Sequence, residues 1–316
     1  MKLVIDSNQL QTTQLREFLT RSRSNMAVLP DFAAMEAYKG DSLKTIFKSM
    51  AVVSDFPDQV IVLKGSAKNC GMSGRRKGLQ RRLIDESQTR GFPEYIRALR
   101  LAEAGNTQLQ AQILKLGDSA NEHLEKMRGD AMNIREAIEV LGSRYTKEER
   151  AVFRSRSEYT PELTEKLVRT ILEMAGMIFG ESPLIRKKPT YAELPNTFIF
   201  RVTLACYLLG LIRYANGGFS ALSTEKLRND FVDMMFVAYG TFFDGVMSSD
   251  KNVTQMIEEV SILLSGLFNA EIPYLARTPN PSLKRSANGM SRRPSSAGPA
   301  ARSALAVQRA TPSSPA

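Results

Sequence analysis

Short apolar runs that stop at a proline or an acidic residue alternate with longer segments of helical periodicity along the chain. Met1–Ile5 ends at Asp6, Val28–Leu29 ends at Pro30, and residues 59–63 form a further run. A continuous apolar run of this length is typical of a strand that is buried on both faces of a parallel sheet. The pattern therefore predicts an α/β fold in which helices flank a mostly parallel sheet.

A later stretch, residues 229–250, predicts a helix, a turn, a short strand and a carboxylate at the end of that strand. Asp230 and Asp233 are three positions apart, so both side chains fall on one face of the helix. Asp250 follows the short apolar strand. An adjoining apolar stripe at helical spacing is expected to pack on the sheet, and it consists of Leu227, Phe231, Met234, Ala238 and Phe242.

Four acidic positions are expected to gather at one edge of the predicted sheet, because ligand sites of parallel sheets lie outside the carboxyl ends of the strands. These positions are Asp6, Glu36, either Asp230 or Asp233, and Asp250. Carboxylates about 5 Å apart repel by roughly 3 kcal/mol per pair at an effective dielectric constant near 20. Such a cluster either takes up protons or binds divalent cations. Hard oxygen ligands with no His or Cys nearby favour Mg²⁺ or Mn²⁺.

The order of these motifs resembles the PIN-like nuclease domains, a family of metal-dependent ribonucleases that is common in bacterial toxin–antitoxin systems and related to flap endonucleases. The residues that carry the resemblance are Val4–Asp6, Glu36, the helix at 229–233 and Ser249–Lys251. Each motif is short, and their order along the chain is the main similarity. The resemblance implies a cytoplasmic toxin or defence effector that hydrolyses phosphodiester bonds, in RNA rather than DNA, with an antitoxin or regulatory protein as a partner.

The resemblance also implies the roles of individual residues. The catalytic and metal-binding carboxylates are Asp6, Glu36, Asp233 and Asp250, and Asp230 competes with Asp233 as a ligand to the metal. Residues expected to orient these carboxylates or bound water are Ser7, Asn8 and Ser249. A non-catalytic PIN-like module that serves as a scaffold or binds nucleic acid is the alternative function.

The resemblance covers residues 1–65 and 195–272, and it departs from compact family members in the long segment between them. We therefore predict a discontinuous PIN-like core formed by residues 1–65 and 195–275. Residues 66–194 are predicted to form a basic loop and a large helical insertion. Substrate and regulation cannot be carried over from the family for this segment.

A basic, glycine-interrupted stretch begins at Lys64 and continues to Arg100. Phosphate contacts supply most non-specific affinity for nucleic acid, so we expect this loop to bind the substrate. The expected substrate-binding residues are Arg75, Arg76, Lys77, Arg81 and Arg82. A solvated surface loop is the other interpretation. The loop has no Gly-Lys-Ser/Thr sequence, which argues against an ATPase of the P-loop type.

Most of the net charge of +10 lies in the last part of the chain. Residues 276–316 contain seven Lys or Arg and no acid, which leaves +3 for residues 1–275. The high isoelectric point is therefore no evidence for a nuclease. The composition of the tail predicts disorder, and a basic arm that binds nucleic acid is the alternative.

Other features restrict the class of protein. Cys70 and Cys206 are too few and too far apart for a disulfide framework or a zinc site, and we expect reduced thiols in the cytoplasm. No secretory signal is visible, and the apolar run 202–212 is too short to span a membrane. His123, the single histidine, is expected on the surface. A haloacid-dehalogenase-type phosphotransferase would need a second Asp at the position of Asn8.

Overall fold

The computed structural model describes residues 1–185, 187–218 and 223–277. Its centre is a sheet of four parallel strands: β1 (Lys2–Ile5), β2 (Met26–Leu29), β3 (Val60–Val62) and β4 (Val246–Met247). The strand order is β3-β2-β1-β4, with Val4 opposite Val28 on one side and opposite Val246 on the other. The prediction of an α/β fold with a parallel sheet flanked by helices is confirmed.

The helices that surround the sheet are α1 (Thr13–Arg21), α2 (Asp31–Ala37), α3 (Ser42–Ser54), α4 (Ser66–Cys70), α5 (Leu79–Leu83), α6 (Glu86–Glu103), α7 (Thr107–Gly142), α8 (Lys147–Ser155), α9 (Pro161–Glu181), α10 (Phe198–Ala215), α11 (Thr224–Gly240), α12 (Lys251–Phe268) and α13 (Pro273–Arg277). Short 3-10 turns occupy Ser7–Gln9, Pro57–Gln59 and Leu194–Asn196.

Side-chain caps fix where several helices begin. Thr12, Thr160, Thr197 and Ser223 each accept a hydrogen bond from a backbone N–H in the first turn of the helix that follows. Such a cap satisfies one of the otherwise unpaired amides of a helix start. The sequence Thr160-Pro161-Glu162 predicts the start of a helix, and the side-chain cap at Thr160 confirms it as the start of α9.

Alternate residues of the strands point to two different cores. Ile5, Ala27 and Leu29 pack with apolar side chains of α1, α3 and α6. Val4 and Val28, from the same strands, pack instead with α11. Because both faces are covered, the strands need apolar residues at successive positions, which explains their uninterrupted apolar sequence.

A third core is mainly helical and is formed largely by α8, α9, α10 and α12, with two side chains of α11. Helix α10 lies inside it with most of its side chains buried. By length and composition α10 is the one described helix that could cross a membrane, and 78% of it is buried within the protein. A core helix of a globular protein has these same properties.

Three helix boundaries differ from what the sequence predicts. The pattern predicts one helix that begins at Asp31, includes Glu36 in its first turns and continues to about Met50, but α2 ends at Ala37 and α3 begins at Ser42. Gly40 lies in the break with φ of +82°, a left-handed conformation that glycine adopts without a steric penalty. Apolar spacing also predicts a first helix over residues 9–25, whereas α1 spans Thr13–Arg21. Asp31 is a residue type that favours an N-cap, but Pro30 is the N-cap of α2.

The segment between residues 66 and 194 contributes to the packing of the whole molecule. Helix α6 packs beside the sheet through Phe92, Ile96 and Leu99, whereas α8 and α9 pack on α10. At the other end of the chain, Arg277 forms an ion pair with the buried Asp244 at 2.9 Å. The tail was predicted to be disordered from residue 276, but Ala276 and Arg277 belong to α13, so that boundary is wrong; residues 278–316 lie outside the described part of the chain.

Candidate functional site

The order of the strands creates a crevice beside β1. From β1 the chain proceeds to β2 and β3 on one side, and it then returns to place β4 on the other side of β1. Parallel sheets bind ligands at the carboxyl ends of the strands where the order reverses in this way. Asp6 follows β1, and residues 248–250 follow β4, so both lie at this point.

Asp6 is 3% exposed and is held by several hydrogen bonds. Asn8 Nδ2 donates to Asp6 Oδ2 at 2.7 Å, and Ser248 Oγ donates to the same oxygen at 2.5 Å. Burial raises the pKa of Asp6, while hydrogen bonds from Ser248, Asn8 and Ser7 oppose that rise. The carboxylate is therefore fixed in orientation and poorly solvated.

Glu36 is connected to Asp6 through one hydroxyl group. Ser7 Oγ is hydrogen-bonded to Glu36 Oε2 and lies 3.4 Å from Asp6 Oδ1. Burial is the main cause of the raised pKa of Glu36, and the charge of Asp6 raises it further. Lys39 and Arg228 act in the opposite direction. Helix α2, which follows β2, thus brings Glu36 to the end of β1.

Asp233 has the largest resolved shift among the four acids. Burial raises its pKa to about 7, and the charges of Asp6, Asp250 and Asp230 contribute to that rise. Asp250 is the N-cap of α12, because its Oδ1 accepts from Asn252 N at 2.6 Å. Asp233 on α11 is therefore electrostatically coupled to the acids that follow β1 and β4.

The donor chemistry of these four acids fits a hard divalent cation. Within the described residues, Asp6, Glu36, Asp233 and Asp250 make no ion pair with Lys or Arg within 4 Å, so their charges are not balanced by direct contacts. Oxygen ligands without thiol or imidazole groups favour Mg²⁺ or Mn²⁺. In the same part of the chain, no three Asp, Glu, His or Cys side chains are already arranged as a metal-binding group. Metal binding would therefore require side-chain rotation that brings the carboxylates together.

Asp230 lies in a different environment from Asp233. Arg213 holds it with two hydrogen bonds, from Nε at 3.1 Å and Nη2 at 3.0 Å. Lys226 adds a third contact, with Nζ at 2.8 Å from Oδ1. Both oxygens of Asp230 are thus occupied by cations. We therefore retain Asp233 and leave Asp230 out of the proposed ligand set.

The expected supporting residues are found in part. Ser7 and Asn8 contact Asp6, whereas Ser249 is exposed and contributes its backbone N–H to Asn8 Oδ1 at 3.3 Å. Its neighbour Ser248 bonds Asp6 and accepts from Asp250 N at 3.0 Å. The sequence analysis did not identify Ser248. It directly follows β4, as Asp6 directly follows β1, and this equivalent position at a strand end was the available signal.

Three arginines of the basic loop have partners other than the four carboxylates. Arg76 pairs with Glu271 beyond the far end of α12, and this helix of 18 residues is about 27 Å long. Arg82 donates to the backbone of Ser73 and Arg75, and Arg81 pairs with Glu86. These three arginines therefore make contacts within the protein, and no hydrogen bond or ion pair of the described residues joins them to the four carboxylates.

Four other cations surround the carboxylates and were missed by sequence inspection. They are Lys39, after α2, Arg213, near the end of α10, and Lys226 and Arg228 in the first turns of α11. Local sequence indicated only one of these cations: Lys226 is four residues before Asp230, a spacing that favours an ion pair on a helix. The others come together only through the packing of α2, α10 and α11.

His123 is exposed, as the sequence analysis expects, and its charge influences a further acid. Burial raises the pKa of Asp31, and the charge of His123 lowers it. Asp31 Oδ2 accepts from Ser66 N at 2.6 Å, a bond that joins the ends of β2 and β3. Asp31 therefore has a structural role in joining the ends of two strands, and we do not include it with the four acids of the proposed site.

Comparison with protein-family models, with curated proteins and with solved structures gave no match.

Proposed function

We propose that this protein is a PIN-like, metal-dependent nuclease that hydrolyses phosphodiester bonds, with RNA as its substrate. One observation carries the proposal. Asp6, Glu36, Asp233 and Asp250 interact electrostatically at the strand-order reversal, and none of them forms an ion pair with Lys or Arg within 4 Å among the described residues. Buried or half-buried carboxylates without such direct contacts are costly in a purely structural role. A divalent cation would offset this cost.

In the proposed site, Asp6 and Asp250 hold the principal Mg²⁺ or Mn²⁺ ion, and Glu36 and Asp233 complete the set of ligands. A bound divalent ion supplies an activated water nucleophile and stabilises the leaving oxygen in phosphodiester hydrolysis. The protein's own groups orient the ligands. Ser248 and Asn8 fix Asp6 through one oxygen, and the start of α12 fixes Asp250.

The experiment compares Asp6→Asn and Asp250→Asn with the wild-type protein. Each change removes a charge at nearly constant volume, so cleavage of a mixed pool of single-stranded RNA and DNA with Mg²⁺ or Mn²⁺ should be lost. Thermal stability without metal should be retained, because the change relieves repulsion. Asp58→Asn, at an exposed position, is the matched control and should cleave normally.

The alternative is a non-catalytic PIN-like scaffold or nucleic-acid-binding module. The observation that favours it is that the described side chains do not form a ready three-ligand group. Full cleavage by Asp6→Asn, or a fall of several degrees in its melting temperature without metal, would refute the nuclease and leave this alternative.

A further inference from the structure

The four cations around the carboxylates form a connected group, which we call the cationic rim: Lys39, Arg213, Lys226 and Arg228. Glu225 lies 3.8 Å from Lys39 and 3.8 Å from Arg228, so it joins the end of α2 to the start of α11. Asp230 joins Lys226 to Arg213. The rim is adjacent to the carboxylates, since Lys39 N donates to the backbone carbonyl of Glu36 at 3.1 Å and Asp230, which contacts Lys226, is about one helical turn from Asp233 on α11.

Arg228 is the least balanced member of the rim. Its side chain is 7% exposed, and its nearest carboxylate is the exposed Glu225 at 3.8 Å. Its close contact is an amide oxygen, Asn229 Oδ1, at 2.6 Å from Nη2. A buried guanidinium normally has a directly bonded anion because its desolvation is costly. Its fork of donors matches a phosphate group.

The net formal charge of the rim and the four carboxylates depends on whether divalent metal is bound, and this charge determines whether an anion is attracted. The rim carries four positive charges and includes two acids, Glu225 and Asp230, which leaves +2. When all four are ionised, the carboxylates of the proposed metal site contribute −4, and the region then has a net charge of −2. One divalent cation would bring the sum to zero and two would bring it to +2. A phosphate backbone is therefore repelled by the metal-free region and accepted when metal is bound.

We propose that Lys39, Lys226 and Arg228 bind the phosphates that flank the scissile bond of a nucleic-acid strand, and that this binding requires divalent metal. This inference rests on the proposed function, because it concerns the substrate of the same site. These three residues, rather than the basic loop around Arg76, then form the proposed substrate-binding surface, because Arg76 lies at the far end of α12.

The test measures binding rather than cleavage. The probe is a short, fluorescein-labelled, 2′-O-methyl oligoribonucleotide of mixed sequence, titrated by anisotropy in Mn²⁺ and in EDTA at several salt concentrations. Lys39→Gln and Lys226→Gln should each weaken binding in Mn²⁺ about 3- to 10-fold and reduce the salt slope by about 0.7. Arg228→Gln should weaken binding more, and wild-type protein in EDTA should bind weakly.

Controls separate the rim from other cations and from folding. Arg97→Gln removes an exposed, ion-paired arginine on α6 and should bind as wild type. Arg76→Gln tests the glycine-rich loop and should also bind as wild type. Lys39 is 46% exposed, so its substitution tests the rim even where Arg228→Gln reduces folding.

Three results would refute phosphate binding by the cationic rim. The first is wild-type affinity of Lys39→Gln and Lys226→Gln, and the second is equal binding of the wild type in Mn²⁺ and in EDTA. The third is a loss of affinity in Arg76→Gln as large as that in the rim variants. The proposed function fails separately. If wild type binds in Mn²⁺ but cleaves no nucleic acid, while the rim variants lose binding, the rim is supported and hydrolysis is refuted. If wild type cleaves and the rim variants bind normally, the nuclease stands and the rim is refuted.

Discussion

Ser248 Oγ donates a hydrogen bond to Asp6 Oδ2 at 2.5 Å, although the two residues are 242 positions apart in the chain. The bond exists because β1 and β4 are neighbours in the sheet and both end at the same edge. Ser248 also accepts from the backbone N–H of Asp250. One side chain therefore sets the separation of the two acids that we assign to the principal metal ion.

Ser248→Ala should reduce metal-dependent cleavage about 10- to 100-fold, since groups that orient a ligand have effects of this size. Loss of the hydrogen bonds should cost about 1 kcal/mol of unfolding free energy. Initial cleavage rates and urea denaturation measure the two effects. Ser249→Ala is the matched control, because the Ser249 side chain is exposed and has no hydrogen bond in the described structure. An equal loss in both variants would contradict this role of Ser248.

Asp233→Asn should stabilise the metal-free protein at neutral and alkaline pH. The folded-state pKa of about 7 exceeds the ordinary value of 3.8, mainly because of burial. Between these values the folded state binds more protons than the unfolded state, so the stability of the wild type falls as pH rises from about 4 to about 7. The full shift corresponds to roughly 4 kcal/mol, and access of water to the half-buried side chain reduces the expected gain to about 1–2 kcal/mol.

Melting temperatures of both proteins in EDTA across this pH range measure the effect. The difference between Asp233→Asn and wild type should be small near pH 4 and largest above pH 7. A constant difference at all pH values, or a loss of stability near pH 8, would show that Asp233 is not a destabilising carboxylate.

Asp230→Asn should have the opposite effect, although Asp230 is less than one helical turn from Asp233. The substitution leaves Arg213 and Lys226 without their shared anion. Breaking a buried ion pair costs about 3–5 kcal/mol, and the partial exposure of the two cations reduces this to about 1–3 kcal/mol. Urea denaturation of the two variants in parallel at pH 7.5 measures the contrast. Equal stability of the two variants would refute the distinction between these acids.

Arg201→Lys should be strongly destabilising. Arg201 is fully buried, and its guanidinium donates to Pro195 O and Thr241 O at 2.7 Å and lies over the ring of Phe242 at 3.7 Å. Lysine retains the charge but cannot supply the planar fork of donors. We expect a loss of about 2–4 kcal/mol of unfolding free energy, because buried acceptors are left unpaired.

The control for Arg201→Lys is Arg97→Lys, which alters an exposed ion pair on α6. Such a surface change should cost less than about 0.5 kcal/mol. Guanidinium denaturation of both variants measures the difference. A cost for Arg201→Lys as small as that of the control would show that the hydrogen bonds of Arg201 are not essential.

The sequence determined the local structure of this protein and the kind of chemistry that its acids can perform. Continuous apolar runs such as Leu3-Val4-Ile5 favour burial on both faces, and this pattern predicted the parallel strands and the position of Asp6 at a strand end. Helix α11 and the capped start of α9 were also visible, because periodicity and N-caps act over only a few residues.

Tertiary structure decided which side chains share the site. Asp230 and Asp233 have equivalent local sequence positions, and only the packing of α10 on α11 brings Arg213 to Asp230. The distance of Arg76 from Asp250 likewise depends on the direction and length of α12. Local patterns specify residue types and periodicity, whereas contacts between positions far apart in sequence follow from the order of the strands and the packing of helices on both faces of the sheet.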